Sequence, residues 1–318
     1  DYLETATPDV KGTRDGWLNR YLALRGTYED PRCAPAAEGR RPADAAPADG
    51  AAADGVASPF RAVAMTAQTP RILDGPAAAV AMTSLDAFAV RGGGGGGGDD
   101  AERRLEALYA TGHADVVHGA GRETFEALRV LRRADPRRYA PRPGAEYPRS
   151  PFGQRLLQLA QLIKADVGLE IGFADVGGWD THVGQGAATG QLARRLDDFA
   201  RAIAAFVTDL DERMADVVIL TMSEFGRTAR ENGTGGTDHG HAGSMFVIGG
   251  GVRGAGRVHG RWPGLAPEQL HEGRDLALTT DFRLLFGEVL QGHLGATRLD
   301  HVFPGFDAAP GAGPRLFG

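Results

Sequence analysis

Apolar residues recur with helical or strand periods through the second half of the chain. Helical spacing predicts helices over residues 152–165, 190–214 and 281–294. Alternation of apolar and polar positions predicts a strand over residues 166–173. Near-continuous apolar runs at residues 216–221 and 245–249 are typical of central strands covered on both faces. Strands and helices in this order predict a layered α/β fold with a largely parallel sheet.

The first half carries weaker signals and two stretches of biased composition. We expect a helix around Trp17 and strands near residues 63–66 and 79–82, and helices over residues 101–110 and 122–133. Residues 33–58 are rich in Ala, Pro, Asp and Gly and are interpreted as a surface insertion. Residues 91–100 contain seven consecutive glycines and are interpreted as a flexible loop, since they lack the GK[ST] ending of a phosphate-binding loop. Residues 1–318 are therefore taken as one domain with two insertions.

Composition narrows the classes of function. The 318 residues are 42% hydrophobic and carry a formal net charge of −6, which allows a sizeable core and argues against nucleic acid as a partner. Cys33 is the single cysteine, so an intramolecular disulfide and a thiolate metal cluster are both excluded. No apolar run approaches the roughly 20 residues of a transmembrane helix, so no membrane span is expected.

Three polar clusters lie next to predicted strands, where ligands of α/β sheets collect. They comprise Asp180 and His182, then Glu224 and Arg227, then Asp238, His239 and His241. Each has an ordinary explanation when taken alone. The first pair would cap a turn, the second would be an exposed ion pair, and the third would be a polar loop.

Taken together, the clusters predict a metal site. Carboxylates and imidazoles are ligands of Zn²⁺ and Mn²⁺, so we expect the cofactor to be a divalent metal, Zn²⁺ or Mn²⁺. The six predicted ligands would suffice for one or two ions, an arrangement used in phosphoryl-type transfers. These predicted ligands are Asp180, His182, Glu224, Asp238, His239 and His241. Arg227 would bind the anionic group of a small ester substrate.

Four motifs give the chain a family resemblance: GGWDTHVGQ (177–185), SEFGRT (223–228), NGTGGTDHGHAG (232–243), and FVIGGGVRG (246–254) followed by GRWPGL. They resemble the bacterial family called domain of unknown function 1501, placed in the alkaline phosphatase/sulfatase superfamily. TPDVKGTRDGWLNRYL (7–22) and TDFRLLFGEVL (280–290) also look like this family.

The resemblance implies an alkaline phosphatase-like three-layer sandwich and a two-metal hydrolase of phosphate or sulfate esters. Asp180 and His182 match one ligand pair of such enzymes. The segment around Asp238 matches either a DHxH motif or a GTDH motif, and the second alignment makes His239 a ligand and puts Glu224 in place of a strand-end Asp. Both alignments stay open.

The resemblance also implies parts that this chain lacks. The first-strand Asp and the Ser or Thr nucleophile of the superfamily would lie upstream of Asp1, so the chain is interpreted as an N-terminally truncated copy. Family members often carry export signals, which suggests a periplasmic or secreted setting. Three hypotheses follow: a metal-dependent ester hydrolase that the truncation inactivates or leaves active, a non-catalytic exported binding or structural relative, and an enzyme that uses a single metal ion.

Overall fold

The structure, a computed structural model, describes residues 2–8, 10–27, 58, 60–85, 139–254, 256–307 and 312–317. Within these ranges the α-helices are Tyr2–Thr5 (α1), Trp17–Thr27 (α2), Pro151–Lys164 (α3), Gln191–Leu210 (α4), Phe282–Gly292 (α5) and Leu299–Val302 (α6). The strands are Ala62–Ala64 (β1), Val80–Ala81 (β2), Ile171–Phe173 (β3), Val218–Leu220 (β4), Gly226–Arg227 (β5), His239–Gly240 (β6) and Val247–Gly249 (β7). Short 3-10 helices cover Arg71–Leu73, Asp211–Asp216 and Pro267–Gln269. The predicted helices at 101–110 and 122–133, the glycine loop and nearly all of the insertion at 33–58 lie outside the described residues.

The predicted parallel sheet is present but small. Its strand order is β2-β1-β3, and both pairings are parallel. The third strand begins only at Ile171, five residues later than predicted. Asp166 and Gly168 have φ values of +50° and +80°, which are incompatible with extended backbone. The mixed α/β class is therefore confirmed, with a parallel sheet of three strands.

The two apolar runs predicted as central strands pair differently. β4 and β7 form a separate two-stranded antiparallel sheet, with Ile219 opposite Ile248. Thr221 extends the pairing, because its N–H donates to the carbonyl of Phe246 at 3.0 Å. The expectation of two central strands in one parallel sheet is therefore wrong. All residues of both strands are only half-buried, so the expected cover on both faces is wrong as well. The apolar runs indicate strands, whereas the partner and direction of each strand are decided by contacts distant in the chain.

Helices α3 and α4 match the predicted periodicity over most of their length. Ser150 caps α3 by accepting the N–H of Gly153 at 3.1 Å, and Pro151 occupies the first turn, where its missing N–H costs nothing. The α-helical part of α4 ends at Leu210, because Asp211 has a φ of +50°. Leu196 is 46% exposed, and the buried residues of α4 begin only at Ala202, so the first half of this helix is less buried than its apolar spacing predicts.

Two hydrophobic clusters flank the parallel sheet. Val63 belongs to a cluster built largely from α3 and α4, whereas Ala62 and Ala64 belong to a cluster that includes residues of α2, α5 and α6. Successive side chains of a strand point to opposite faces, so the clusters lie on the two sides of β1. Among the helices that the structure describes, none has the length and apolar character needed to cross a membrane.

Candidate metal centre

The candidate site is built on three chain segments that pair with one another. Residues 181–185 run beside residues 234–237, with the N–H of Gln185 donating to Gly235 O at 2.8 Å. Farther along the second segment, β6 pairs antiparallel with β5, and Arg227 lies opposite His239. Three motifs separated by up to about 60 residues are thereby joined into one hydrogen-bonded platform.

Three of the predicted ligands converge on this platform. His182 Nε2 and His239 Nε2 each lie 2.8 Å from Asp180 Oδ1. The ligand atoms of these three residues lie within 4.8 Å of one another, and no other group of three or more His, Cys, Asp or Glu among the described residues does so. Two imidazole nitrogens and one carboxylate oxygen are a donor set that suits Zn²⁺ or Mn²⁺, with an open position for a further ligand.

The site is open to solvent and its carboxylates are anionic. The side chain of Asp180 is 54% exposed and that of His239 is 50% exposed. Hydrogen bonds from His239 and Arg227 lower the pKa of Asp180 below its ordinary value. Hydrogen bonds from His182 and Asn232 lower the pKa of Asp238 in the same way. Both carboxylates are therefore charged at neutral pH, the state in which a carboxylate binds a cation.

Asp238 lies behind His182 and not in the group of three. Its Oδ1 is 2.8 Å from His182 Nδ1, the ring nitrogen opposite the one that faces Asp180. Asn232 supports this contact from the side: its Nδ2 donates to Asp238 Oδ1 and to the carbonyl of His182, both at 3.0 Å.

Arg227 connects the platform to Asp180. Its Nη1 donates to Asp180 Oδ1 at 2.9 Å, its Nε donates to Thr237 Oγ1 at 2.9 Å, and its Nη2 donates to the carbonyl of Thr237. Thr237 Oγ1 in turn donates to Gln185 Oε1 at 2.7 Å. Since a guanidinium has five N–H groups, these three bonds leave two for a bound anion.

His239 is held by ring stacking. Its imidazole lies parallel to the ring of Phe225, with centroids 4.2 Å apart and planes 7° apart. The imidazole of His239 also stacks on that of His182, with the ring centroids 5.0 Å apart. Both histidines contact Asp180 through Nε2, but His182 has a second carboxylate at Nδ1, whereas His239 has the additional ring of Phe225.

The other two predicted ligands, Glu224 and His241, do not belong to the group of three. Glu224 is exposed to solvent. His241 stacks on His271 at a centroid distance of 4.3 Å, and its backbone N–H donates to the buried carboxylate of Asp275.

Sequence reasoning missed the residues that hold the ligands in place, namely Gln185, Phe225, Asn232 and Thr237. All four lie inside the motifs quoted above, but none carries a charge or an imidazole, so ligand chemistry did not single them out. The observation that supporting groups usually accompany metal ligands is the signal that would have found Asn232.

The fold and the site together define a mixed α/β protein with an open Asp/His cluster supported by a second carboxylate. A family model described as Protein of unknown function (DUF1501) matches residues 49–304, and the chain belongs to that family. No curated protein and no solved structure matches the chain.

Proposed function

We propose that this protein is a metal-dependent hydrolase of phosphate or sulfate esters that uses one divalent cation held by Asp180, His182 and His239. The observation that carries the proposal is the convergence of three ligand atoms within 4.8 Å from two motifs far apart in the chain. An ordinary polar turn would satisfy Asp180 within its own segment, whereas here His239 and Arg227 reach it from other segments.

The donor set suits the cation by charge and by nitrogen orientation. Ionised Asp180 supplies the negative charge, and both imidazoles direct Nε2 towards the same oxygen. A divalent cation bound there would stabilise the negative charge that develops on an ester oxygen. Arg227 would bind the anionic group of the ester through its two remaining N–H groups, and its bonds to Thr237 fix the direction of the guanidinium.

The finer fold assignment belongs to the same proposal. We infer an alkaline phosphatase-like three-layer sandwich, supported by the two hydrophobic clusters on opposite sides of β1 and by helices in both clusters. Zn²⁺ and Mn²⁺ are the expected cofactors because both accept mixed nitrogen and oxygen donors.

Hydrolysis of 4-nitrophenyl phosphate and 4-nitrophenyl sulfate tests the activity directly. The wild-type chain should hydrolyse one of them after loading with Zn²⁺ or Mn²⁺, and a chelator should abolish the reaction. His239→Ala should be inactive, whereas His259→Ala, the same change at an exposed histidine of a loop, should match the wild type. Hydrolysis that persists in chelator and in His239→Ala would contradict the proposal.

A second candidate is a non-catalytic binding or structural relative, possessing the same cluster. The hydrogen bonds of Arg227 favour this candidate, because they are all made within the protein. Arg227 donates to Asp180 Oδ1 and makes two hydrogen bonds to Thr237. Under this alternative the protein binds the cation stoichiometrically, and neither ester is hydrolysed at any metal concentration.

A further inference from the structure

We propose that Asp238 does not bind the metal ion but is the positioning residue for His182, whose Nδ1–H it accepts so that Nε2 is presented to the cation. This inference rests on the proposed metal site and assigns to Asp238 a role different from that of a ligand.

The two carboxylates contact different nitrogens of the His182 ring. Asp180 Oδ1 faces His182 Nε2, whereas Asp238 Oδ1 faces His182 Nδ1, and both distances are 2.8 Å. The two nitrogens of an imidazole point away from each other, so a single ion bound at Nε2 is not shared with the carboxylate at Nδ1. Asp238 is accordingly absent from the group whose ligand atoms converge.

The position of the hydrogen on the His182 imidazole agrees with this assignment. A neutral imidazole carries one N–H and one lone pair. Both ring nitrogens of His182 lie 2.8 Å from an ionised carboxylate, so the contacts alone do not choose the tautomer. A cation takes the lone pair of Nε2, the atom in the converging group, and the one hydrogen of the neutral ring is then on Nδ1, where it donates to Asp238 Oδ1. A carboxylate or carbonyl on the far nitrogen of a ligating histidine fixes its tautomer and ring orientation.

Asn232 holds Asp238 in place beside His182 through hydrogen bonds. One amide nitrogen, Nδ2, donates to Asp238 Oδ1 and to His182 O, so it ties the carboxylate and the backbone of the histidine together. The amide oxygen of Asn232 accepts the N–H groups of Thr234 and Gly236, each at 3.0 Å. The loop between Asn232 and Asp238 is thereby closed on itself, and Asp238 is held without help from a cation.

The test compares zinc binding by the wild-type chain, Asp238→Asn and Asp180→Asn, with Asp197→Asn as the matched control. Asp197 lies on α4, is 67% exposed and is paired with Arg201 at 3.8 Å. Zinc affinity is measured by competition with a chelating dye. Asp238→Asn should bind one zinc ion per chain with an affinity about 10–100-fold below the wild type. Asp197→Asn should bind like the wild type, and Asp180→Asn should lose binding beyond that range.

Cobalt substitution separates positioning from ligation. The visible spectrum of bound Co²⁺ reports the ligand set, so Asp238→Asn should keep the wild-type band positions and intensities. A spectrum altered in Asp238→Asn would make Asp238 a ligand and overturn the inference, and so would unchanged zinc affinity. Absence of zinc and cobalt binding in the wild type would instead defeat the proposed function, and this inference with it.

A measurement on the wild-type chain keeps the inference testable if Asp238→Asn fails to fold. Nitrogen-15 NMR of the zinc-loaded protein should assign His182 the Nδ1–H tautomer, with the bound ion at Nε2. Zinc on Nδ1 of His182 would overturn the inference without affecting the proposed function.

Discussion

Gly236 lies directly against the backbone of His182: a Cβ atom built on Gly236 would be 2.2 Å from both the C and the O atoms of that residue. No real Cβ contact is so short, so any side chain at this position must push the two segments of the platform apart. The closeness of these two segments is what brings Asp180 and His182 beside Asp238 and His239.

Gly236→Ala should therefore damage the metal site and the fold together. Overpacking of this kind costs about 1–3 kcal/mol of the free energy of unfolding. We expect zinc affinity to fall by at least about tenfold, since displacement of His182 separates the converging ligand atoms. Urea unfolding and dye competition measure the two effects. Gly233→Ala, in the same loop, is the control because no atom lies within 4 Å of its Cβ position. Equal zinc affinity in the two variants would contradict the assigned role of the platform.

Phe225→Ala should weaken metal binding without removing a ligand. The Phe225 ring stacks on His239, and an aromatic pair contributes about 0.5–1.5 kcal/mol. If that energy holds the imidazole in its binding orientation, zinc affinity should fall by roughly 2–10-fold. Phe246→Ala is a matched control, since Phe246 is 55% exposed and its ring stacks on no aromatic side chain among the described residues. Isothermal titration with zinc that gives the two variants the same affinity would show that stacking does not orient His239.

Acid should destabilise the protein through Asp209. This fully buried carboxylate accepts from Lys164 Nζ at 2.5 Å, from the N–H of Arg142 at 2.8 Å, and from the hydroxyls of Tyr139 and Tyr147. Burial alone would raise the pKa of Asp209, but these hydrogen bonds outweigh it and the pKa is lowered. A pKa lowered by folding stabilises the native state above the unfolded value of about 3.9, and this stabilisation is lost as the pH falls through the folded value.

Asp209→Asn separates this contribution from general acid effects. At neutral pH it should cost about 3–5 kcal/mol, because Lys164 loses its buried partner. Below pH 4 the wild type should lose stability faster than Asp209→Asn, so the two curves of unfolding free energy against pH converge. Asp166→Asn is the control: Asp166 pairs with Arg213 at the surface, and its loss should cost no more than about 1 kcal/mol. Parallel pH curves for the wild type and Asp209→Asn would refute the assignment.

Arg20 should connect the N-terminal segment to the rest of the fold. This buried side chain donates to the carbonyl of Val302 at 2.9 Å and to the carbonyl of Thr5 at 2.5 Å. Arg20→Met keeps the aliphatic stem but leaves these carbonyls without the guanidinium, so we expect a loss of about 2–4 kcal/mol. Thermal unfolding measures it. Arg298→Met is the control, at an arginine whose side chain is 55% exposed, and should shift the midpoint of thermal unfolding much less. Equal shifts would show that Arg20 does not connect the segments of Thr5 and Val302.

Sequence periodicity predicted the helices better than the strands. Residues 152–165 and 281–294 match α3 and α5 within two residues at each end, because one face of each helix meets a hydrophobic cluster. The strand at 166–173 was predicted too long, since alternation does not reveal the positive φ of Asp166. The pairing of β4 with β7 depends on hydrogen bonds between residues about 30 positions apart, which local patterns do not encode.

Ligand chemistry predicted the region of the site and six possible ligands, and three of those six come together. In the sequence His239 and His241 were equally good candidate ligands. In the structure His239 stacks on His182, whereas His241 stacks on His271. The choice between them depends on how β6 pairs with β5. Sequence also makes no distinction between a carboxylate that faces an ion and one that faces the far side of a histidine. That distinction between Asp180 and Asp238 depends on ring orientation, which only the folded chain defines.

Metal content after reconstitution measures whether Asp180, His182 and His239 hold one divalent cation. The wild-type chain, loaded with excess zinc or manganese and then freed of unbound metal, should retain one ion per chain by elemental analysis. The double variant His182→Ala/His239→Ala should retain almost none, whereas His259→Ala should match the wild type. A wild-type chain that retains no ion, or a double variant that still retains one, would contradict the account.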